Sequence, residues 1–379
     1  MLVFRPGQLG DCMAATPALH VARKRYPHAE FIMLCDRQPD RGYVLAEQLF
    51  SGSGLVDRFV YYNATGDGGG SLRSVAGALR LLVKLRGLAP DACLYLAPSD
   101  RLPDQVRRDR FFFRLAGIRD LIGATGLQDS PGPGPRPKPL LSRPHEADQL
   151  VSRLVLEGFD DPGPQQGRMD LGLKDRERET VSQWVAALPP AGGRPWIGVG
   201  PGGKMPAKRW PVERFDDVIG ALIRERDVWP VVFGGPADRA LGTALVNVWG
   251  RGYVAAGSLD VRAAAEALSR CLLYVGNDTG TMHLAAAVGT RCVAVFSGRD
   301  FPGKWEPYGP GHRVLRAPVE CEGCMLKECQ EKGNLCLTSI GVEDVLEACR
   351  QTLLEEDARK SNDSATGTLS GPTSSAGSR

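Results

Sequence analysis

Two stretches of the chain set chemically active residue types where a strand meets a helix. The first, GNDTGTMHLAAAVG at 276–289, follows the strand-like CLLYV and leads into a helix of small residues. A helix start offers unpaired N–H groups and a partial positive charge, which suits an anion. Gly280 lets an anion approach the backbone closely, and Thr279 and Thr281 add hydroxyl donors. Asp278 would repel a phosphate, so its partner is better sought in a sugar hydroxyl or an N–H group. The plain alternative is an ordinary N-cap, a contribution of about 1 kcal/mol, with His283 a buried core histidine.

The second stretch is FRPGQLGDCMAATPAL at 4–19, where strand LVF runs through Gly7 and Gly10 into a helix with Asp11 at its start. Asp11 is either a cap or a carboxylate facing a cleft, where it would accept a proton. The glycine spacing is not GxGxxG and no Walker lysine–serine pair is present, which disfavours a Rossmann dehydrogenase and a P-loop enzyme. A third loop, GPGGKMPAKRWP at 200–211, follows the strand WIGV. Its Gly200, Gly202 and Gly203 with Lys204, Lys208 and Arg209 suit a diphosphate. Pro211 opens the next helix, and Trp210 is expected to pin the loop to the core. A solvated basic turn is the other reading, most natural for Lys204.

Elements that alternate along the chain must hold these loops. In the first 125 residues LVF, AEFIMLC, VDRFVYY and DACLYLA read as strands, separated by helices such as PALHVARKRYP and SVAGALRLLVKLRGL. The second half repeats the pattern from ERETVSQWVAAL to VEDVLEACRQTLLEE. Alternation of this kind implies βαβ units and parallel sheets. The fold class expected is therefore α/β, with two doubly wound, Rossmann-like parallel-sheet domains facing a cleft, residues 1–172 and 173–356. Ligands in such sheets sit outside the carboxyl ends of the strands, where all three loops fall. The segments 63–71 and 128–144 are rich in glycine or proline; the latter is read as an extended, solvated insertion. Residues 357–379 lack apolar anchors and are expected to be a disordered tail.

The chain has 379 residues, more than one ordinary core accommodates, and a net charge of only +3. That balance gives no bulk electrostatic case for nucleic acid. RLPDQVRRDR at 101–110 is locally basic, but its interleaved acids suggest a solvated helix face or a surface for acceptor phosphates. No signal peptide and no apolar run of membrane-spanning length is visible, so a cytoplasmic location is expected, with contact at the inner face of the inner membrane left open.

LGDCMAATPAL, the AKRWPVERF loop and GNDTGTMHLAAAVGTRCVAVFSG together resemble glycosyltransferase family 9, the heptosyltransferases, over nearly the whole chain from about Leu2 to Leu354. The resemblance implies a GT-B fold, with the acceptor held by the first domain and the nucleotide sugar by the second. It implies inverting transfer of heptose from ADP-heptose to a lipid-linked saccharide, the lipopolysaccharide inner core, with no required metal. By the same analogy Asp11 is the general base and Lys208 neutralises the leaving diphosphate. Gly10 belongs to the acceptor-side helix start, Gly202 to the diphosphate loop. Thr279, Gly280 and Thr281 bind phosphate, while Asp278 holds sugar hydroxyls. His283 completes the motif, and Arg5 is expected to meet an anionic group of the acceptor.

Ten cysteines in a chain read as cytoplasmic are mostly reduced thiols. Cys12, Cys35, Cys93, Cys271, Cys292 and Cys349 lie in apolar contexts and read as core. Cys321, Cys324, Cys329 and Cys336 in CEGCMLKECQEKGNLC have spacing that admits a structural zinc or iron; the alternative is a loop of reduced thiols. Three other readings of the chain stay open at this point. One is a transferase for another nucleotide sugar, one a sugar-nucleotide epimerase, and one a non-catalytic module that binds a glycan or nucleotide.

Overall fold

The computed structural model describes residues 1–36, 44–62, 72–127 and 139–367. Its first half comprises β1 (Leu2–Phe4), α1 (Leu9–Arg25), β2 (Ile32–Asp36), α2 (Ala46–Phe50), β3 (Arg58–Tyr62), α3 (Leu72–Leu88), β4 (Ala92–Tyr95), α4 (Pro103–Leu115), β5 (Asp120–Ile122) and α5 (Glu146–Val155). The second half comprises α6 (Asp175–Ala186), β6 (Trp196–Gly200), α7 (Val212–Arg226), β7 (Trp229–Val232), α8 (Arg239–Trp249), β8 (Tyr253–Val254), α9 (Val261–Ser269), β9 (Cys271–Asn277), α10 (Gly280–Ala287), β10 (Cys292–Phe296), β11 (Arg313–Arg316), α11 (Leu335–Thr338) and α12 (Val342–Gly367). The GT-B architecture of two parallel-sheet α/β domains is as expected.

Strand order is β3-β2-β1-β4-β5 in one sheet and β11-β10-β9-β6-β7-β8 in the other, with parallel pairing throughout. In each sheet the chain winds outward one way and then returns to the middle to wind the other way. The reversal opens a crevice at the carboxyl ends of β1 and β4 in the first sheet and of β6 and β9 in the second. The three loops picked out above leave from β1, β6 and β9, so each starts at a crevice.

Short, almost wholly apolar strands are possible because helices cover both sheet faces. In the first sheet Val3, Met33, Leu94 and Leu96 pack toward α1 and α5. Leu2, Phe4, Ile32, Leu34 and Tyr95 face the opposite way, toward Leu85 of α3 and Val106 and Phe113 of α4. The six isolated cysteines are buried, as their apolar contexts suggested.

Three details differ from the expectations. The short β11 and α11 were not foreseen, since RVLR is half charged and LCLT is too brief for periodicity to register. The tail expected from residue 357 instead begins as helix, because α12 continues to Gly367; Asp357 pairs with Arg226 and Arg359 with Glu356. Most of the segment 128–144 and all of 63–71 lie outside the described residues. The end of the former is not solvated: Leu140 is buried and donates its N–H to Glu322 (2.6 Å), and Arg143 donates its N–H to the Pro302 carbonyl (2.8 Å). An aliphatic residue in a proline-rich stretch thus anchors the chain across the two halves.

Candidate functional site

The helix start at Asp11 is set by local constraints. Gln8 is the N-cap of α1, and Asp11 at the third helical position accepts the Gln8 N–H at 2.8 Å, one half of a capping box. Gly7 has φ +138°, and a Cβ there would lie 2.3 Å from the Asp11 Cγ, so only glycine leaves room for this carboxylate. Asp11 keeps a quarter of its side-chain surface exposed and lines a cavity of about 170 Å³ with Gln8, Cys12, Cys35 and Leu45.

Arg5 borders the same cavity from a fully buried position, and four of its five N–H groups are occupied: by the Asp11 carbonyl (2.9 Å), the Leu96 carbonyl (3.0 Å), the Asp11 carboxylate (3.2 Å) and the Glu146 carboxylate (3.1 Å). It ties the ends of β1 and β4 together and fixes Asp11. Glu146, also fully buried, accepts from the Ser99 N–H and hydroxyl and stands 3.9 Å from Lys304. Burial raises the Asp11 pKa above the usual carboxylate range; Arg5 opposes the shift and the nearby Glu146 adds to it.

On the other half, the residue preceding the motif does the positioning. Buried Asn277 donates to the Pro201 and Gly202 carbonyls (2.9 and 3.1 Å) and accepts the Trp210 N–H at 3.0 Å. This one amide fastens the glycine loop and the KRW turn to the end of β9. Trp210 is buried and donates its indole N–H to Ile340, so it pins the turn as expected. Gly202 has no room for a side chain, since a Cβ would meet Asp238 at 2.1 Å; Asp238 itself caps the next turn by accepting the Gly235 N–H.

Thr279 is the N-cap of α10 by position, yet its hydroxyl makes no capping bond. It pairs instead with the Thr281 hydroxyl (3.0 Å), which meets the phenol of buried Tyr274 (2.7 Å). Among the described residues the Gly280 and Thr281 amides donate to no protein acceptor, so the helix start is open to an anion. Asp278 is buried and forms a 2.5 Å ion pair with Lys208. The ordinary-cap alternative is therefore the weaker one here.

The two helix starts face each other across the halves. A Cβ on Gly10 would lie 3.1 Å from the His283 ring, and one on Gly280 would lie 2.7 Å from Leu9. His283 is buried near Lys208 and His145, and its pKa falls to about 3, chiefly by desolvation, so the ring is neutral. The two starts thus meet directly: Leu9 and Gly10 of α1 pack against Gly280 and His283 of α10, with Lys208 near His283. Sequence reasoning missed Glu146, Lys304 and Tyr274, and it did not separate Asn277 from its neighbours as a support.

The cysteine loop lies behind the Lys208 turn. Cys321, Cys324, Cys329 and Cys336 share one loop, and burial raises the Cys336 pKa, helped by the other three thiols nearby. Among the described residues, however, no three His, Cys, Asp or Glu groups converge to hold a metal ion. The loop acts as a brace, with Lys327 accepting the Ala207 N–H (3.1 Å) and Asn334 donating to Pro206 (3.3 Å) behind the Lys208 turn.

Residues 149–335 match the model of glycosyltransferase family 9 (heptosyltransferase). Lipopolysaccharide heptosyltransferase 2 of Escherichia coli is 31% identical over 173 residues, 44% of this chain and 49% of that protein. The matching region thus spans about half the length of the curated relative. Among solved structures, the E. coli ADP-heptose lps heptosyltransferase II superposes with a TM-score of 0.65 at 21% identity, covering 94% of this chain and 99% of that one. A family 9 glycosyl transferase from Veillonella parvula gives 0.67 at 23% identity, covering 93% and 96%. The family 9 match thus covers residues 149–335, the fold of these solved structures extends over nearly the whole chain, and the chain is similar to heptosyltransferases of that family.

Proposed function

We propose that the chain is an inverting glycosyltransferase that moves a heptose from ADP-heptose to a lipid-linked saccharide of the lipopolysaccharide inner core, working on the cytoplasmic side. The observation that carries this reading is the junction itself. Asp11, its pKa raised, stands at the start of α1, and that helix start packs through Leu9 and Gly10 against the uncapped start of α10, where Asp278 holds Lys208.

Asp11 takes the proton from the acceptor hydroxyl as that oxygen attacks the anomeric carbon. The bond from that carbon to the diphosphate oxygen breaks, and ADP leaves. Its charge is met by Lys208 and by the amides of Gly280 and Thr281. Asp278 accepts from sugar hydroxyls, and Lys208 turns from Asp278 toward the diphosphate. His283, neutral and beside Gly10, offers a hydrogen bond without adding charge. The residues require no metal for this chemistry.

The experiment is a donor panel. Purified chain is given ADP-heptose, or UDP-, GDP- or TDP-sugars, with inner-core acceptor, and product is followed by mass spectrometry and anomeric NMR. Transfer from ADP-heptose alone, with inversion, is the expected result. Transfer from another donor keeps the mechanism and replaces the substrate, while nucleotide binding without any product points to a binding module.

A further inference from the structure

Helices α3 and α4 lie on the outer face of the first sheet, away from the site. Their C-terminal ends meet where Arg86 of α3 donates to the Leu115 carbonyl of α4 at 2.8 Å. Their outward surface is unlike that of an ordinary solvated helix. On α3, Val75, Leu79 and Val83 are 55–69% exposed and recur every four residues, which places them in one stripe. Arg80, Lys84 and Arg86 are exposed and flank that stripe, and no acidic residue occurs on the helix. On α4, Phe111 is 65% exposed, with Leu115 one turn on and exposed Arg107, Arg108 and Arg114 around it.

Much of this charge has nothing to neutralise it. Arg107 pairs with Asp104, and Arg108 stands 3.4 Å from Asp109. Among the described residues Arg80, Lys84, Arg110, Arg114 and Arg119 have no ion-pair partner, and the buried Arg110 Nε has no hydrogen-bond acceptor. Arg110, Arg114 and Arg119 border a shallow depression beside β5, together with Asp120 and Glu157. The net charge of the whole chain is only +3, so this face is a local concentration of cations.

We propose that the α3–α4 face is a docking surface for an anionic lipid bilayer. Apolar side chains at the centre of an exposed helix face, with arginine and lysine at its margins, match the depth profile of a membrane interface. The apolar groups enter the acyl boundary while the long cations reach lipid phosphates. Nucleic acid would use the cations but leave Val83 and Phe111 in water. A second copy of the chain would bring like charges together. No helix among the described residues is long and apolar enough to cross a membrane, so the contact is peripheral. The surface lies outside the cleft, and it stands or falls separately from the proposed transfer.

The test is co-sedimentation of the full chain with vesicles of phosphatidylcholine alone or mixed with phosphatidylglycerol, across a salt series. Binding to the mixed vesicles that weakens with salt is expected, with little binding to phosphatidylcholine. Two variants divide the surface: Arg80→Glu with Lys84→Glu and Arg114→Glu, and Val83→Ser with Phe111→Ser. Each is expected to weaken vesicle binding by about tenfold or more. ADP affinity and circular dichroism are expected to stay unchanged, showing that the variants fold. Folded variants that bind vesicles as well as the parent overturn the proposal. So does a parent that ignores anionic vesicles, whether it binds an oligonucleotide instead or dimerises through this face in sedimentation velocity.

Discussion

The starts of α1 and α10 are built from the same parts, a glycine turn, a carboxylate and a cation, yet they hold their charges differently. At α1 the cation is Arg5, fully buried, with four of its five N–H groups occupied. At α10 the cation is Lys208, on a short turn, holding Asp278 through a single ammonium contact. A planar guanidinium spread over fixed partners cannot leave without exposing several groups, whereas an ammonium on a flexible stem can change partner. The first start therefore fixes its carboxylate through several bonds, while the second holds its cation through one.

That contrast can be broken from either side. The largest effect is expected from Asp11→Asn, which keeps the shape but removes the base; transfer should fall by about 10²–10⁴-fold, read as kcat in a product assay. Next comes Glu146→Ala, which strips a fully buried partner from Arg5 and from Lys304. A loss of about 3–5 kcal/mol is expected in urea denaturation, as for other broken buried pairs. In the same variant, if it is soluble, Arg5 is left to Asp11 alone. The acid limb of kcat/KM should then move to lower pH.

A smaller effect tests the buried histidines. His283 and His312 have pKa values lowered to about 3 and about 4, mainly by desolvation. Unfolded, each takes up a proton near pH 6.5, so the unfolded state binds more protons below that pH. Stability contributed by the neutral rings is complete above pH 6.5 and is lost as the pH falls toward the folded values. Over the first pH unit of that window the loss should be about 1 kcal/mol per histidine. A pH series of denaturation midpoints checks it, and His283→Gln should flatten the slope. The smallest effect is expected from Tyr274→Phe, which removes the phenol that orders Thr281. Affinity for ADP should fall by a factor of about five, near 1 kcal/mol.

Much of this site is legible in the sequence because polar residues at glycine-bearing junctions stand out against apolar strands. Asp11, Lys208 and Asp278 are visible for that reason, and the period of the flanking elements places them at strand ends. The supports are not visible in the same way. Arg5 finds Glu146 at a separation of 141 residues, and Lys304 finds Asp100 at 204, distances over which no local pattern extends. Arg5 beside a glycine turn looks like a ligand-binding cation, and only the β1–β4 pairing shows that it is enclosed. Tyr274 within CLLYV reads as core, and it is core; its hydroxyl matters because Thr281, the second residue of α10, returns over it.

The central claim is that the two helix starts divide the work, one holding the base and the other the nucleotide. The most direct test is calorimetric titration of ADP into the parent chain, Asp11→Asn and Lys208→Ala, side by side. The account predicts that Asp11→Asn binds ADP as the parent does and that Lys208→Ala binds it about tenfold or more weakly, as for loss of a charge-assisted contact. Unchanged affinity in Lys208→Ala, or a loss as large in Asp11→Asn, would contradict it.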